Sequence, residues 1–260
     1  MDLTYTSYLE LDRLLDLQHA RSDPPEHDEM LFIVIHQVYE LWFKLLLHEM
    51  DRAKGELSRG ETWEAAGVFK RVRMVLKTLV GQVDILETMT PMSFASFRNR
   101  LESASGFQSV QFRELEFMLG HKRPEMMVHV PEGSRARKLL ERRLHERSIV
   151  DHLYDYLARR GAEIPEELRA KPVEAPTIPS PQLQDALVRI YLDDPAAAGL
   201  LELMTDIDEG LQEWRYRHVK MVERTIGNKM GTGGSSGVDF LKRSLFKPVF
   251  PDLWAIRDRF

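Results

Sequence analysis

Two histidines, one arginine and one glycine-rich stretch are the parts of this sequence that could do chemistry. His36 lies in FIVIHQVYELWFKLL, one helical turn after Phe32 and one before Tyr39 and Glu40. It reads either as a core histidine satisfied by a neighbour, or as a polar group facing an apolar pocket with Phe32 on the wall. His218 lies in LQEWRYRHVKMVERTIG, where Trp214, Met221, Val222 and Thr225 share its face while Arg215, Arg217, Lys220 and Glu223 fall elsewhere. An imidazole on the apolar face of an otherwise charged helix needs a partner. A structural hydrogen bond would supply one, and an axial position on a haem iron would supply another. Arg98, in SFASFRNRLESASGF, puts a guanidinium beside Phe94 and Phe97 and just before Ser105 and Gly106. Guanidinium is the natural fork for a carboxylate, although the same residue also reads as a surface arginine.

The stretch MGTGGSSGV, residues 230–238, raises a different question. Its composition suits a flexible linker. It also suits a loop whose backbone N–H groups and hydroxyls approach a charged ligand closely. It is no phosphate-binding P-loop, because no Lys-Ser or Lys-Thr follows the glycines, and no dinucleotide fingerprint, because no strand precedes it. Thr232 could donate to a carboxylate or accept from an ammonium.

The elements that must position these groups are helices. The segment 28–57 carries one apolar stripe through Leu31, Ile35, Val38, Trp42 and Leu45 and a second through Phe32, His36, Tyr39, Phe43 and Leu47, which predicts a helix buried on most sides. Helical spacing recurs over 62–89, 107–120, 135–147, 148–159, 182–192 and 196–229, and Gly231 fits a stop after the last. No run of alternating β-branched residues bounded by hairpin turns is present. The expected fold class is all-α, a helical bundle. Residues 161–182, with five prolines, read as a surface excursion between helices rather than a domain boundary, so one domain is expected over 1–260.

Composition narrows the function. The net charge of −5 gives no global basic field to recruit nucleic acid or an anionic membrane. Without cysteine there are no disulfides, thiolate nucleophiles or sulfur-ligated metals, so any metal falls to His, Asp, Glu or Tyr. The apolar runs fall short of the roughly 18–20 uncharged residues of a membrane span. The N-terminus lacks a signal pattern, and a cytoplasmic location is the default expectation.

Five segments taken together, HDEMLFIVIHQVYELWFKLLLHE, ETMTPMSFASFRNRL, SGFQSVQFRELEFMLG, WRYRHVKMVERTIG and GTGGSSGVDFL, resemble the tryptophan 2,3-dioxygenase family. The resemblance runs from about Tyr5 to the C-terminus and is poor around 161–182. It implies the all-helical haem fold of the tryptophan/indoleamine dioxygenase type, haem b that is ferrous in the active state, and O2 as co-substrate. It also implies opening of the indole C2–C3 bond of L-tryptophan, or a close derivative, to N-formylkynurenine. Residue by residue it implies His218 as the axial ligand of the haem iron and His36 as the distal histidine that hydrogen-bonds the indole N–H. Phe32 is implied as the aromatic packed on substrate, Arg98 as the carboxylate partner, and Ser105 and Gly106 as the turn near the haem. Thr232 is implied as the contact to the amino-acid end, which makes the glycine-serine run a substrate-closing loop. Tyr5, Tyr8 and Leu9 match residues that a neighbouring subunit lends to the pocket, within a homotetramer that exchanges a segment of about residues 1–20.

One position departs. Where the family usually has a tyrosine whose hydroxyl joins the arginine on the carboxylate, this chain has Phe94. Loss of a hydrogen bond to a charged group costs about 1.5–3 kcal/mol, so Phe94 keeps an alternative open: haem-dependent monooxygenation of a tryptophan derivative to an oxindole. A non-catalytic haem sensor would retain His218 but has no use for His36, Arg98 and Thr232 together. A helical scaffold without haem would leave the glycine-rich loop without a purpose.

Overall fold

The computed structural model describes residues 2–260. Among the described residues thirteen α-helices follow one another: α1 (Tyr5–Leu9), α2 (Leu11–Leu14), α3 (His27–Arg59), α4 (Thr62–Leu86), α5 (Pro91–Arg98), α6 (Val110–Met118), α7 (Arg135–Leu144), α8 (Ile149–Arg159), α9 (Glu166–Arg169), α10 (Pro181–Asp193), α11 (Pro195–Ile226), α12 (Val238–Lys242) and α13 (Pro251–Ala255). Short 3₁₀ turns intervene, and no strand occurs among the described residues. The expected all-α class therefore holds.

Local chemistry fixes the helix ends. Asp28 and Glu29 sit in the first turn of α3, where the helix dipole favours anions, and Gly60 closes it with a positive φ of 80°. The Asp194 side chain accepts from Ala197 N–H and Pro195 takes the first helical position, which starts α11 sharply. Thr90 and Pro91 do the same for α5, the helix that carries Phe94 and Arg98. The predicted helix over 107–120 begins later than expected. Ser105 and Ser109 each turn a hydroxyl onto a nearby backbone N–H, which splits the segment into a 3₁₀ turn at Gly106–Gln108 and α6.

The core forms where α4 lies against both α3 and α11, with α6 and α8 packed on α3. Met50, Leu57, Phe69, Leu79, Phe97 and Tyr156 are sealed within it. By length and composition alone α3 is apolar enough to cross a membrane, contrary to the sequence reading. Part of its apolar surface meets α4, α6 and α8, and Phe32, His36, Tyr39 and Phe43 face an internal cavity, while Met30, Val34 and Leu41 stay exposed. The 161–182 excursion is also more than a surface connection: Ile164 and Leu168 are buried in the main core, and Ser180 N–H donates to Asp252 at 2.8 Å.

Ahead of α3 the chain is apolar but unpartnered. Tyr5, Tyr8 and Leu15 are 75%, 70% and 72% exposed, beside exposed Leu3, Leu9 and Leu17. Contiguous exposed apolar patches of this kind are uncommon on monomeric soluble proteins.

Candidate active site

A cavity of about 280 Å³ opens between α3, α5, α6, α11 and α12. Phe32, His36, Phe94, Arg98, Ser105, Gly106, His218 and Thr232 all line it. The structure thus gathers eight of the eleven site residues expected from the sequence into one space. Tyr5, Tyr8 and Leu9 are absent from that lining and point to solvent in their own chain.

Helix α3 presents Phe32 and His36 one turn apart, so their rings meet at 4.1 Å between centroids. His36 Nδ1 lies 2.7 Å from the Phe32 carbonyl oxygen. A carbonyl can only accept, so Nδ1 carries the proton and Nε2 is left as the lone pair. Burial pushes the His36 pKa below its ordinary value, opposed by the Phe32 carbonyl and the Glu40 carboxylate. The ring is therefore neutral at pH 7, with an acceptor nitrogen and no protein partner for it among the described residues. Phe94 continues the wall 5.7 Å from Phe32, and the buried Phe97 backs both rings at 5.6 and 5.4 Å.

Helix α11 brings in His218. Burial pushes its pKa down to about 4, and the charge that His36 could carry adds to the effect. Trp214, one turn earlier, stacks on the His218 ring with planes 6° apart and centroids at 5.3 Å, which fixes the imidazole plane. No hydrogen bond to His218 occurs among the described residues. A neutral, oriented imidazole with free nitrogens, aimed into an apolar cavity, is the donor that a haem iron needs. Among the described residues no three His, Asp or Glu side chains converge as ligands for a bare ion. An iron held here would take its remaining donors from a macrocycle, and the residues present fit a haem.

Arg98, at the end of α5, donates through Nη2 to the Met230 carbonyl at 2.7 Å. Thr232 donates its hydroxyl to the Ala104 carbonyl at 2.6 Å. These bonds cross-link the glycine-rich loop to Arg98 and the segment after it, so the loop lies along the cavity. Its glycines are required by contact: a Cβ on Gly233 would come within 2.8 Å of the Ser105 Cβ, and one on Gly237, at φ +63°, within 2.5 Å of the Lys229 carbonyl.

Several lining residues escaped the sequence reading. Arg215 was placed with the charged face of its helix, yet it is 4% exposed and lines the cavity with Arg113, Glu116 and Arg123. Tyr39 donates to the Leu79 carbonyl at 2.7 Å, with its pKa pushed up to about 12 by burial, and packs near Trp214. The four-residue step from Trp214 to His218 was the visible signal for the stacked pair. For the arginines, helical periodicity carried no warning.

The chain is similar along its whole length to known proteins. A family model described as tryptophan 2,3-dioxygenase matches residues 1–178 and 178–259. A protein of Herpetosiphon aurantiacus named tryptophan 2,3-dioxygenase is 54% identical over 258 residues, covering 98% of this chain and 97% of that protein. Relatives of the same name from Anaeromyxobacter sp. (strain K) and Saccharopolyspora erythraea are 52% and 44% identical, each over 98% of this chain and over 95% and 92% of their own lengths. Identity at that level, over nearly every residue that builds the fold and the cavity, leaves one assignment: the chain belongs to the tryptophan 2,3-dioxygenase family.

Proposed function

We propose that this chain is a haem-dependent dioxygenase that inserts both atoms of O2 into L-tryptophan and opens its indole ring to N-formylkynurenine. The observation that carries the reading is the pairing of two neutral imidazoles, His218 and His36, across one apolar cavity that also holds Arg98 and Thr232. The main buried core draws on helices from α3 to α13, with a smaller cluster between α6 and α7, which supports a single domain over 1–260.

When bound, ferrous haem supplies an open coordination position at which O2 is held and activated. His218 would hold the iron, with its ring plane kept by Trp214, and Ser105 and Gly106 border the cofactor. Phe32 and Phe94 would pack on the indole, with Phe97 buried behind them. His36 Nε2 accepts the indole N–H and so fixes where C2 and C3 lie. It orients rather than deprotonates, because an imidazole with a lowered pKa is far too weak a base for an indole N–H. Arg98 pairs with the substrate carboxylate, and Thr232 meets the amino-acid end. Both side chains currently serve backbone carbonyls, so substrate exchanges one set of acceptors for another while the loop excludes water. Protein loaded with ferrous haem should consume O2 and L-tryptophan in equal amounts without added reductant. A requirement for external electrons at each turnover would contradict the reading.

His36→Ala should keep its haem and retain weak turnover. N-methylation of the indole should then cost less against this variant than against the wild type, because the acceptor it offends is gone. Loss of haem from His36→Ala would reverse the two histidine roles.

The exposed N-terminal arm fits a neighbouring subunit, to whose pocket Tyr5, Tyr8 and Leu9 would be delivered within a homotetramer. Deletion of residues 1–20 should shift the assembly to smaller species in sedimentation and lower activity together. A fully active monomer would remove the shared pocket.

A further inference from the structure

The chain ahead of α3 is fastened to that helix at two places. Glu29, in the first turn of α3, is 1% exposed. Its carboxylate accepts from Arg21 N–H at 2.7 Å, from Ser22 N–H at 2.9 Å and from the Ser22 hydroxyl. The same hydroxyl accepts from Glu26 N–H at 2.8 Å, so the buried Ser22 is tied on both sides. Two turns further along α3, Gln37 donates through Nε2 to the Leu17 carbonyl at 3.0 Å, and its Oε1 accepts from Gln18 Nε2 at 2.6 Å. Ser22 beside Glu29 and Leu17 beside Gln37 make residues 17–22 a strap that runs antiparallel to α3. Eight helical residues cover about 12 Å, and five near-extended steps reach that far with little slack.

A carboxylate at a helix start reads first as a partner of the helix dipole. All three donors to Glu29 lie outside the helix, however, and the Glu26 side chain makes no cap at its start. Burial of an ionised carboxylate is costly unless hydrogen bonds replace its water. Here the replacing bonds all come from Arg21 and Ser22, so Glu29 is satisfied only while the strap is in place. Beyond the strap, order is kept without a core. Helix α1 opens with a reciprocal Thr4–Ser7 capping box, and neither α1 nor α2 has a buried residue. Tyr5, Tyr8 and Leu9 are thus set in a helix before anything packs on them. A tail of no consequence needs neither a buried anchor nor a preformed apolar end. Preordering of this kind lowers the entropy lost on docking and raises the effective concentration of the tip at one target.

We propose that Glu29 and Gln37 are positioning residues that aim the N-terminal arm of one subunit at the pocket of its neighbour. The inference rests on the shared-pocket reading above and names what directs the arm. Both residues stand on α3, the helix that presents Phe32 and His36. The helix that walls one pocket therefore also sets the arm that completes the next.

Glu29 and Gln37 are absent from the cavity lining, so full-length Glu29→Ala should keep its haem. Its KM for tryptophan should rise about tenfold, the worth of one hydrogen bond to a charged group, while kcat changes less. Glu29→Gln, which keeps one acceptor oxygen, should fall between. Gln37→Ala, at a half-buried position, should show the same split more weakly, and it carries the comparison if Glu29→Ala does not fold. A loosened fold could also raise KM, so the variant is next co-assembled with His218→Ala subunits, using two affinity tags to isolate the hybrids. The His218→Ala subunits keep strap and arm intact but lack a working haem site of their own. Hybrids should regain a KM near the wild-type value at those variant pockets that a His218→Ala arm reaches. A hybrid KM equal to that of the strap variant alone, or an unchanged KM in both Glu29→Ala and Gln37→Ala, would overturn the inference. Wild-type KM and kcat in a chain lacking residues 1–20 would instead overturn the shared-pocket reading, and this inference with it.

Discussion

His218→Ala is expected to purify with little haem and a nearly absent Soret band, at unchanged helical content. His218 is neutral, lies deep in the protein, and has no hydrogen bond among the described residues. Its replacement therefore breaks no structural bond and leaves a modest gap beside Trp214, so the fold should survive. The loss falls on the iron. Removing even an outer partner of a metal ligand lowers metal affinity roughly 10–100-fold, and removing the ligand itself should exceed that. Added imidazole, small enough for the vacated space, should restore part of the haem. Normal haem content in His218→Ala would move the axial ligand elsewhere.

Arg98→Ala carries the second large effect, and it should be selective. The guanidinium is half-exposed, so the full cost of an unpaired buried charge does not apply, but a charge-assisted hydrogen bond is still worth about 1.5–3 kcal/mol. KM for tryptophan should rise by roughly 10–100-fold. Indoles that lack the carboxylate should be affected far less, because their rings meet His36, Phe32 and Phe94 rather than Arg98. Haem content should stay normal. Phe94 brings no hydroxyl to the cavity beside Arg98, so the variant leaves α5 without a donor in the lining. Unchanged tryptophan binding in Arg98→Ala would mean that the carboxylate is held at another place.

How much of this was legible in the sequence differs between residues for physical reasons. The long helices are strongly periodic and end at residues that force an ending, as Gly60 and Pro195 do, so their spans could be read within a few residues. Histidines on apolar faces stand out, because a polar ring there needs a purpose, and His36 and His218 both face the cavity. The break before α6 depends on which nearby N–H the Ser105 and Ser109 hydroxyls choose, and composition does not encode that. Arg215 was misread because a charged residue on a helix defaults to solvent. Only the packing of α6 and the segment after α12 buries it, and both are distant in sequence. The N-terminal arm is the reverse case: its leucines predict burial, and the single chain leaves them exposed.

The measurement closest to the central claim is the mass of the product formed from L-tryptophan under ¹⁸O2 by the haem-loaded protein. Two labelled atoms in a ring-opened product are expected, since His36 Nε2 is an acceptor that orients the indole and Arg98 and Thr232 hold its amino-acid end in the same cavity. A single labelled atom in a ring-intact oxindole would contradict the account and would mark Phe94 as part of a pocket built for a different outcome.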